Sequence, residues 1–561
     1  MTYQSIYEAV YETYHPPAAW ERSLHAGEPD SLNLAEEALG RHAGSDATGL
    51  RIRDFETGET ETYTFDELNA AANRAANVLE KHLARGERFG LLLEPRLELY
   101  ACLFGGIKSH RVFIPLDTKF GQDAVRYRLE AADATTLVTT ADKLEAIDVD
   151  AIESLERVVV VDGKSMSASD VEAIPYERVS EEPARYDAIR MHPSQVYGIG
   201  YSSGTTGQPS QQMSPHAACV GIDPYLTFVV DLQPADVYFA AASPAWAYGL
   251  TVGTLSPGLR GTAIGAYRGR FDTERWVETL DEWDVTNAMV APTALRQLRA
   301  GDVDVSRFDV DLRVLVTAGE TLDAATSRWC RENLGATPLD AYGLSEGGML
   351  LCNYPFPDWE VRPGSMGKPL PGYELALADR EALSERAPTT DGPQGEELYE
   401  ELPRIDEPNR VGEIAVYRSG GHGPLEGLLG EGWLLTGDLA ERDTDGYWWY
   451  RGRADEVIIS AGYRIGPEEV QTTLLEHDAV EEAGVVGVPD ETRGTVVKAY
   501  VTTAPGYDPS ETLREKLVEF TKHELSKHEY PRELEFVEEL PKTASDKIDR
   551  QALRDRHERG E

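Results

Sequence analysis

The sequence predicts an α/β protein. Residues 31–140 alternate helix-patterned stretches with short apolar runs, the pattern of βαβ units on a mostly parallel sheet. A chain of 561 residues exceeds what one core can hold, so at least two domains are expected. The stretch beginning at Asp455 reads as a smaller mixed unit.

Residues 66–83 (DELNAAANRAANVLEKHL) carry apolar positions at helical spacing, and residues 97–109 read as a second helix. Strands are expected at 89–93, 137–139 and 158–161, and again at 286–290 and 314–317. Residues 379–410 are acidic and rich in Pro and Gly, which suits an exposed insertion. The run DTDGYWWY at 443–450 suits a β-hairpin around Asp445-Gly446. Residues 483–488 and 498–503 suggest βα alternation in the C-terminal unit. No internal repeat is visible.

Asp plus Glu number 98 against 54 Lys plus Arg, a formal charge of −44. Such a surface is soluble but repels itself, and concentrated cations are needed to screen it. A halophile's cytoplasmic enzyme is the reading preferred over a merely acidic protein. Nucleic acid is excluded as a partner, because phosphate binding needs the opposite sign. Cys102, Cys219, Cys330 and Cys352 form no CxxC pair, so buried reduced thiols are expected. Neither a signal peptide nor an apolar run long enough to span a bilayer is seen.

An apolar run at 196–199 leads into Ser202, Ser203, Gly204, Thr205, Thr206 and Gly207. Glycines let the backbone approach an anion, and hydroxyls donate to it. Alone, this run suits a phosphate cradle or a plain surface turn. It is followed by Gly319-Glu320-Thr321, then DAYGLSE at 340–346, TGDLAERDTDGYWWYRGRADEVIISAGYRIGP at 436–467, and PKTASDKIDR at 541–550.

In this order, from about residue 32 to the end, these motifs resemble the adenylate-forming (AMP-binding) superfamily. The likeness is closest to medium-chain acyl-CoA synthetases and acetyl-CoA synthetase-like enzymes. RPGSMGKPLPGYEL at 362–375 and RGTVVKAYV at 493–501 fit that branch. The resemblance implies a large N-terminal domain (1–454) of βαβ subdomains plus a distorted β-barrel. A small, mobile α+β C-terminal domain (455–561) hinged at Asp455 would follow. It implies that a carboxylic acid and ATP form acyl-AMP and pyrophosphate, and that CoA then takes the acyl group. For ATP it implies the loop 202–207, Gly319, Glu320 and Thr321 against adenine, and Asp340, Ala341, Tyr342 and Gly343 around the purine. Ser345 would reach the α-phosphate, Glu346 would bind Mg2+, and Asp438 and Arg453 would hold the ribose. Lys547 supports adenylation and Arg464 meets the phosphates. Gly462 and Tyr463 line the pantetheine path, and Arg493, Lys522 and Arg532 hold CoA phosphates. Two positions depart from the family: Ser210 replaces the usual loop lysine, and Asp546 replaces the glycine before Lys547.

Acetate-specific relatives carry tryptophan where this chain has Gly343, so a deeper acyl slot is expected, walled by Trp246, Tyr248 and Gly249 with Pro292 and Thr293. A medium-chain fatty acid is the expected substrate; aromatic or short-chain acids are the alternative, and a non-catalytic nucleotide-binding paralogue a second. The charge yields a test. The Debye length is about 10 Å at 0.1 M salt and about 3 Å at 1 M, so only concentrated salt screens neighbouring carboxylates. Circular dichroism and thioester formation across a KCl series should both collapse below several hundred millimolar and recover in the molar range.

Overall fold

The computed structural model describes residues 5–14, 22–28, 30–163, 170–201, 209–344, 348–383, 388, 390–391, 397–419, 431–460, 463–490, 494–525, 530–543 and 547–559. Seven strands form one sheet, in the order Glu172–Pro175, Arg157–Val161, Ala134–Thr140, Arg88–Leu92, Val112–Pro115, Val196–Tyr201 and Gln211–Pro215. Neighbours are parallel except the last pair. A parallel sheet covered on both faces needs continuous apolar runs, and Val158 to Val161 are all buried.

Helix Phe65–His82 starts with a reciprocal cap. The Thr64 hydroxyl accepts from the Glu67 N–H at 3.1 Å, and the Glu67 carboxylate accepts from the Thr64 N–H at 2.9 Å. Two donors that a helix start leaves unpaired are thereby satisfied. This helix packs on helix Leu97–Ser109, and Gly105 sets their spacing: a Cβ there would lie 2.8 Å from the Ala72 carbonyl oxygen.

A second sheet runs Tyr238–Ala241, Asn287–Val290, Val314–Ala318 and Leu339–Leu344 in parallel, then Gly348–Cys352 and Lys368–Pro369 antiparallel. A third, antiparallel sheet orders Glu374–Ala378, Gly412–Ser419, Glu431–Arg442, Glu397–Tyr399 and Thr390–Asp391, with Trp448–Arg453 paired to Glu431–Arg442. The expected Asp-Gly hairpin joins the last two of these partners; Gly446 has φ 85°, and the Asp443 carboxylate accepts from the Asp445 and Tyr447 N–H groups.

Two expectations are corrected. Residues 379–410 are not simply an exposed insertion: Glu397–Tyr399 pairs with Glu431–Arg442, and Leu398 is fully buried. In the C-terminal unit, residues 483–488 and 498–503 belong to one antiparallel hairpin, Val480–Asp490 with Gly494–Thr503. The βα step comes after it, where helix Glu511–Glu524 leads to Glu533–Phe536, parallel to the second strand. The fold is thus a large N-terminal domain and a small C-terminal one, the latter with its own core of Val470, Leu474, Val485, Val501 and Leu517.

All four cysteines are buried and unbridged. Among the described residues no helix is long and apolar enough to cross a membrane.

Candidate active site

The site forms at the carboxyl ends of parallel strands, where open α/β sheets bind ligands. Strand Val314–Ala318 delivers Gly319, and its neighbour Leu339–Leu344 delivers Asp340 to Gly343, with Ala318 opposite Ala341. Gly319 has φ 101°, in the left-handed region that favours glycine. A Cβ there would sit 2.8 Å from Trp246 Cζ2 and 3.6 Å from Lys547 Cε. Strand Val314–Ala318, the residues around Trp246 and the C-terminal hairpin therefore meet at one point.

The loop after Gly319 is held from behind. Glu320 accepts from the Thr293 hydroxyl at 2.8 Å and pairs with the buried Arg296 guanidinium. Arg296 also donates to the Thr321 carbonyl at 3.3 Å. Thr293 thus faces Glu320. Asp340 is buried, and its Oδ1 has no hydrogen-bond partner among the described residues. Burial pushes its pKa up to about 8, against backbone N–H groups of Leu322 and Ala341 that favour the anion. That oxygen is poised to accept one further donor.

Asp438 lies on strand Glu431–Arg442 and is 8% exposed. Tyr342 donates to its Oδ2 at 2.7 Å, Tyr450 donates to its Oδ1 at 3.0 Å, and Arg453 Nη1 approaches Oδ1 at 3.5 Å. Burial raises its pKa, and these donors oppose that rise. A carboxylate offers about four acceptor positions, so two hydroxyls leave room for a vicinal diol. Arg453 also donates to the Thr436 carbonyl and pairs with Asp455 at 3.2 Å.

Lys547 is half-buried. Desolvation lowers its pKa, while the charges of Glu320, Asp438 and Glu468 act to raise it. Beside it, Trp246 meets Tyr248 edge-on at 5.3 Å between ring centroids, and the Tyr248 and Tyr225 hydroxyls share a 2.6 Å hydrogen bond. An aromatic row thus runs from the lysine into the core. Gly249 packs against the Ser243 carbonyl, 2.2 Å from where its Cβ would lie. Gly343 is exposed on one side; on the other its Cβ would meet the Gly348 carbonyl at 2.5 Å and the Met349 sulfur at 2.8 Å.

Several expected residues lie outside the described ones: Ser202, Ser203, Gly204, Thr205, Thr206, Gly207, Ser345, Glu346, Gly462, Arg493 and Asp546. Tyr463 and Arg464 lie on strand Tyr463–Ile465, paired with Ile458–Ser460; their side chains fall outside the description. Lys522 and Arg532 both stand over the Tyr530 ring, at 5.6 and 4.2 Å from its centroid. Ser210 is exposed. Among the described residues no group of three or more His, Cys, Asp or Glu could hold a metal ion.

Sequence reading missed Tyr450, Arg296 and Met349. Tyr450 was visible inside the hairpin motif, three residues before Arg453, but only the strand pairing aims its hydroxyl at Asp438. The geometry therefore carries a test. Losing one hydrogen bond to a carboxylate costs roughly 1.5 kcal/mol or more, about tenfold. Tyr450→Phe should raise KM for ATP by about that factor with a smaller effect on kcat, measured by ATP titration.

The family model described as "AMP-binding enzyme" matches residues 36–399, and that described as "AMP-binding enzyme C-terminal domain" matches 469–547. Acetyl-coenzyme A synthetase of Bacillus subtilis is 36% identical, covering 93% of this chain and 90% of that protein. 4-Hydroxybutyrate–CoA ligase 1 of Metallosphaera sedula is 33% identical, covering 91% and 87%. Rat mitochondrial acyl-coenzyme A synthetase ACSM3 is 30% identical, covering 94% and 90%. Among solved structures, a Brucella canis acyl-CoA synthetase is 31% identical with TM-score 0.72 over 100% of both chains. The anthranilate CoA ligase AuaEII with anthranoyl-AMP is 26% identical with TM-score 0.79, covering 94% of this chain and 98% of that one.

Proposed function

The chain belongs to the AMP-binding enzyme family, and from that premise we infer how its residues divide the work of an AMP-forming acyl-CoA synthetase. The enzyme is a ligase whose partners are a carboxylic acid, ATP and CoA. In the first step a carboxylate oxygen attacks the α-phosphorus, and pyrophosphate leaves with the electrons of the broken bond. In the second the CoA thiol gives up its proton to solvent and its sulfur attacks the acyl carbon of acyl-AMP, breaking the bond to the phosphate oxygen so that AMP leaves.

The observation that carries the residue assignment is the position of Lys547 beside Gly319 and Trp246. An ammonium there neutralises charge between the attacking carboxylate and the α-phosphate as the transition state forms. Asp438, aligned by Tyr342 and Tyr450, takes the ribose diol. The Asp340 Oδ1 suits the amino group of adenine. Glu346, a hard oxygen donor, would hold Mg2+, which supplies charge neutralisation to the leaving pyrophosphate. Arg464 takes the part of the absent loop lysine at the phosphates. Gly462 and Tyr463 line the thiol's path, while Arg493, Lys522 and Arg532 meet the CoA phosphates. The small domain from residue 455 turns about Asp455 between the two steps. The enzyme acts in the cytoplasm of a salt-loving cell, a reading supported by the charge of −44.

The relatives' names span acetyl-, 4-hydroxybutyrate- and acyl-CoA formation, so the acid is argued from this chain's own slot. The row Trp246, Tyr248 and Tyr225 leads inward from Lys547, and we read it as the wall of a slot for a medium-length straight chain. Each buried methylene contributes about 0.8 kcal/mol, roughly fourfold. In a panel of straight-chain, branched and aromatic acids assayed in molar KCl, kcat/KM should climb by about that factor per methylene until the slot is full. Acetate as the best substrate would sink the assignment of the slot.

Lys547→Ala tests the division of labour. It should abolish most acid-dependent ATP–pyrophosphate exchange, yet largely spare thioester formation from supplied acyl-AMP and CoA. Equal loss in the two assays would show that the lysine does not serve adenylation alone.

A further inference from the structure

Lys547 is carried on a hairpin closed by two backbone hydrogen bonds. The Thr543 N–H donates to the Lys547 carbonyl at 2.7 Å and the Asp549 N–H donates to the Pro541 carbonyl at 2.8 Å, which together make Lys542 and Ile548 an antiparallel bridge. A hairpin of this size has no core of its own, so its orientation must come from what lies beneath it. On one arm, the Lys542 ammonium pairs with Glu482 at 2.6 Å. At the other end, Arg550 opens helix Arg550–Arg559 and sends its side chain back under the hairpin. Its Nη1 meets Glu456 at 3.2 Å, and its Nη2 meets Glu468 at 2.5 Å and Gln471 at 2.8 Å. Its Nε donates to the Val485 carbonyl at 3.3 Å. The guanidinium, Glu456 and Glu468 are 13%, 11% and 16% exposed, so the cluster is largely shielded from water.

The partners come from separate places: the hinge-side residue Glu456, helix Pro467–Leu475 and strand Val480–Asp490. A planar guanidinium with several fixed donors can hold three such pieces in one geometry, which an ammonium cannot. We propose that Arg550 is a positioning residue for adenylation: it fixes where Lys547 points by tying the base of its hairpin to Glu456, Glu468 and Gln471. The Arg550 donors are taken up by protein groups. The inference rests on the reading of Lys547 as the adenylation lysine.

The test separates half-reactions. A displacement of about 1 Å in a catalytic group costs up to about a hundredfold in rate. Arg550→Gln should therefore lower ATP–pyrophosphate exchange by about tenfold or more, and leave thioester formation from supplied acyl-AMP and CoA within about twofold. Arg550→Lys keeps the charge without the fork and should recover only part of the loss. Glu468→Gln and Glu456→Gln, which leave Arg550 its other partners, should give smaller losses in the same half-reaction. They decide the matter if Arg550→Gln does not fold by circular dichroism. Equal loss in both half-reactions, or none in either, overturns the proposal. Lys547→Ala is run beside these variants. If it is impaired equally in both assays, the reading beneath the proposal fails, and the proposal with it.

Discussion

An ammonium brought into a cleft must be compensated for the water it leaves, and the surroundings of Lys547 follow from that requirement. Burial alone disfavours the charged form. The carboxylates of Glu320, Asp438 and Glu468 offset this, yet each would itself be unstable unpaired in the same low-dielectric place. Each has its own holder: Arg296 for Glu320, two tyrosine hydroxyls for Asp438, Arg550 for Glu468. The charges of the site are nested, with the lysine at the centre and its counter-charges tied to the scaffold behind them.

The scaffold supplies those holders from distant parts of the chain. Arg296 comes from helix Pro292–Ala300, behind the second sheet. Asp438 and Tyr450 come from neighbouring strands of the antiparallel sheet, and Arg550 from the last helix. Gly319 is where these parts converge, because a side chain there would occupy the space of Trp246. Arg299 adds a bond between the two domains: it pairs with Asp323 at 3.2 Å and donates to the Leu475 carbonyl at the end of helix Pro467–Leu475, at 3.3 Å. A cation at a helix C-terminus meets the negative end of the helix dipole.

The parts of this arrangement legible in the sequence are those fixed locally. Helix Phe65–His82 declares itself by its apolar spacing, and the Asp-Gly hairpin by its turn. Glycine at 319, aspartate at 438 and lysine at 547 stand in motifs short enough to recognise. Less legible is whatever depends on strand partners far along the chain. The strand Glu397–Tyr399 hides in an acidic, Pro- and Gly-rich stretch because three residues give no periodicity, and only Leu398 docking against Leu434 makes it a strand. The hairpin Val480–Asp490 with Gly494–Thr503 was read as separate βα steps because two apolar runs look alike whether they pair with each other or with something else. Tyr450 and Arg550 are ordinary residues until pairing aims them.

The buried cysteines bear on a hazard particular to this chemistry. Acyl-AMP is a mixed anhydride made to be attacked by sulfur, and it does not distinguish one thiolate from another. Burial pushes the Cys102 and Cys330 thiols up to about 12 and raises those of Cys219 and Cys352 further. All four therefore stay protonated, and the thiol is the unreactive form. An intermediate that escapes the cleft meets no exposed cysteine on this protein's surface.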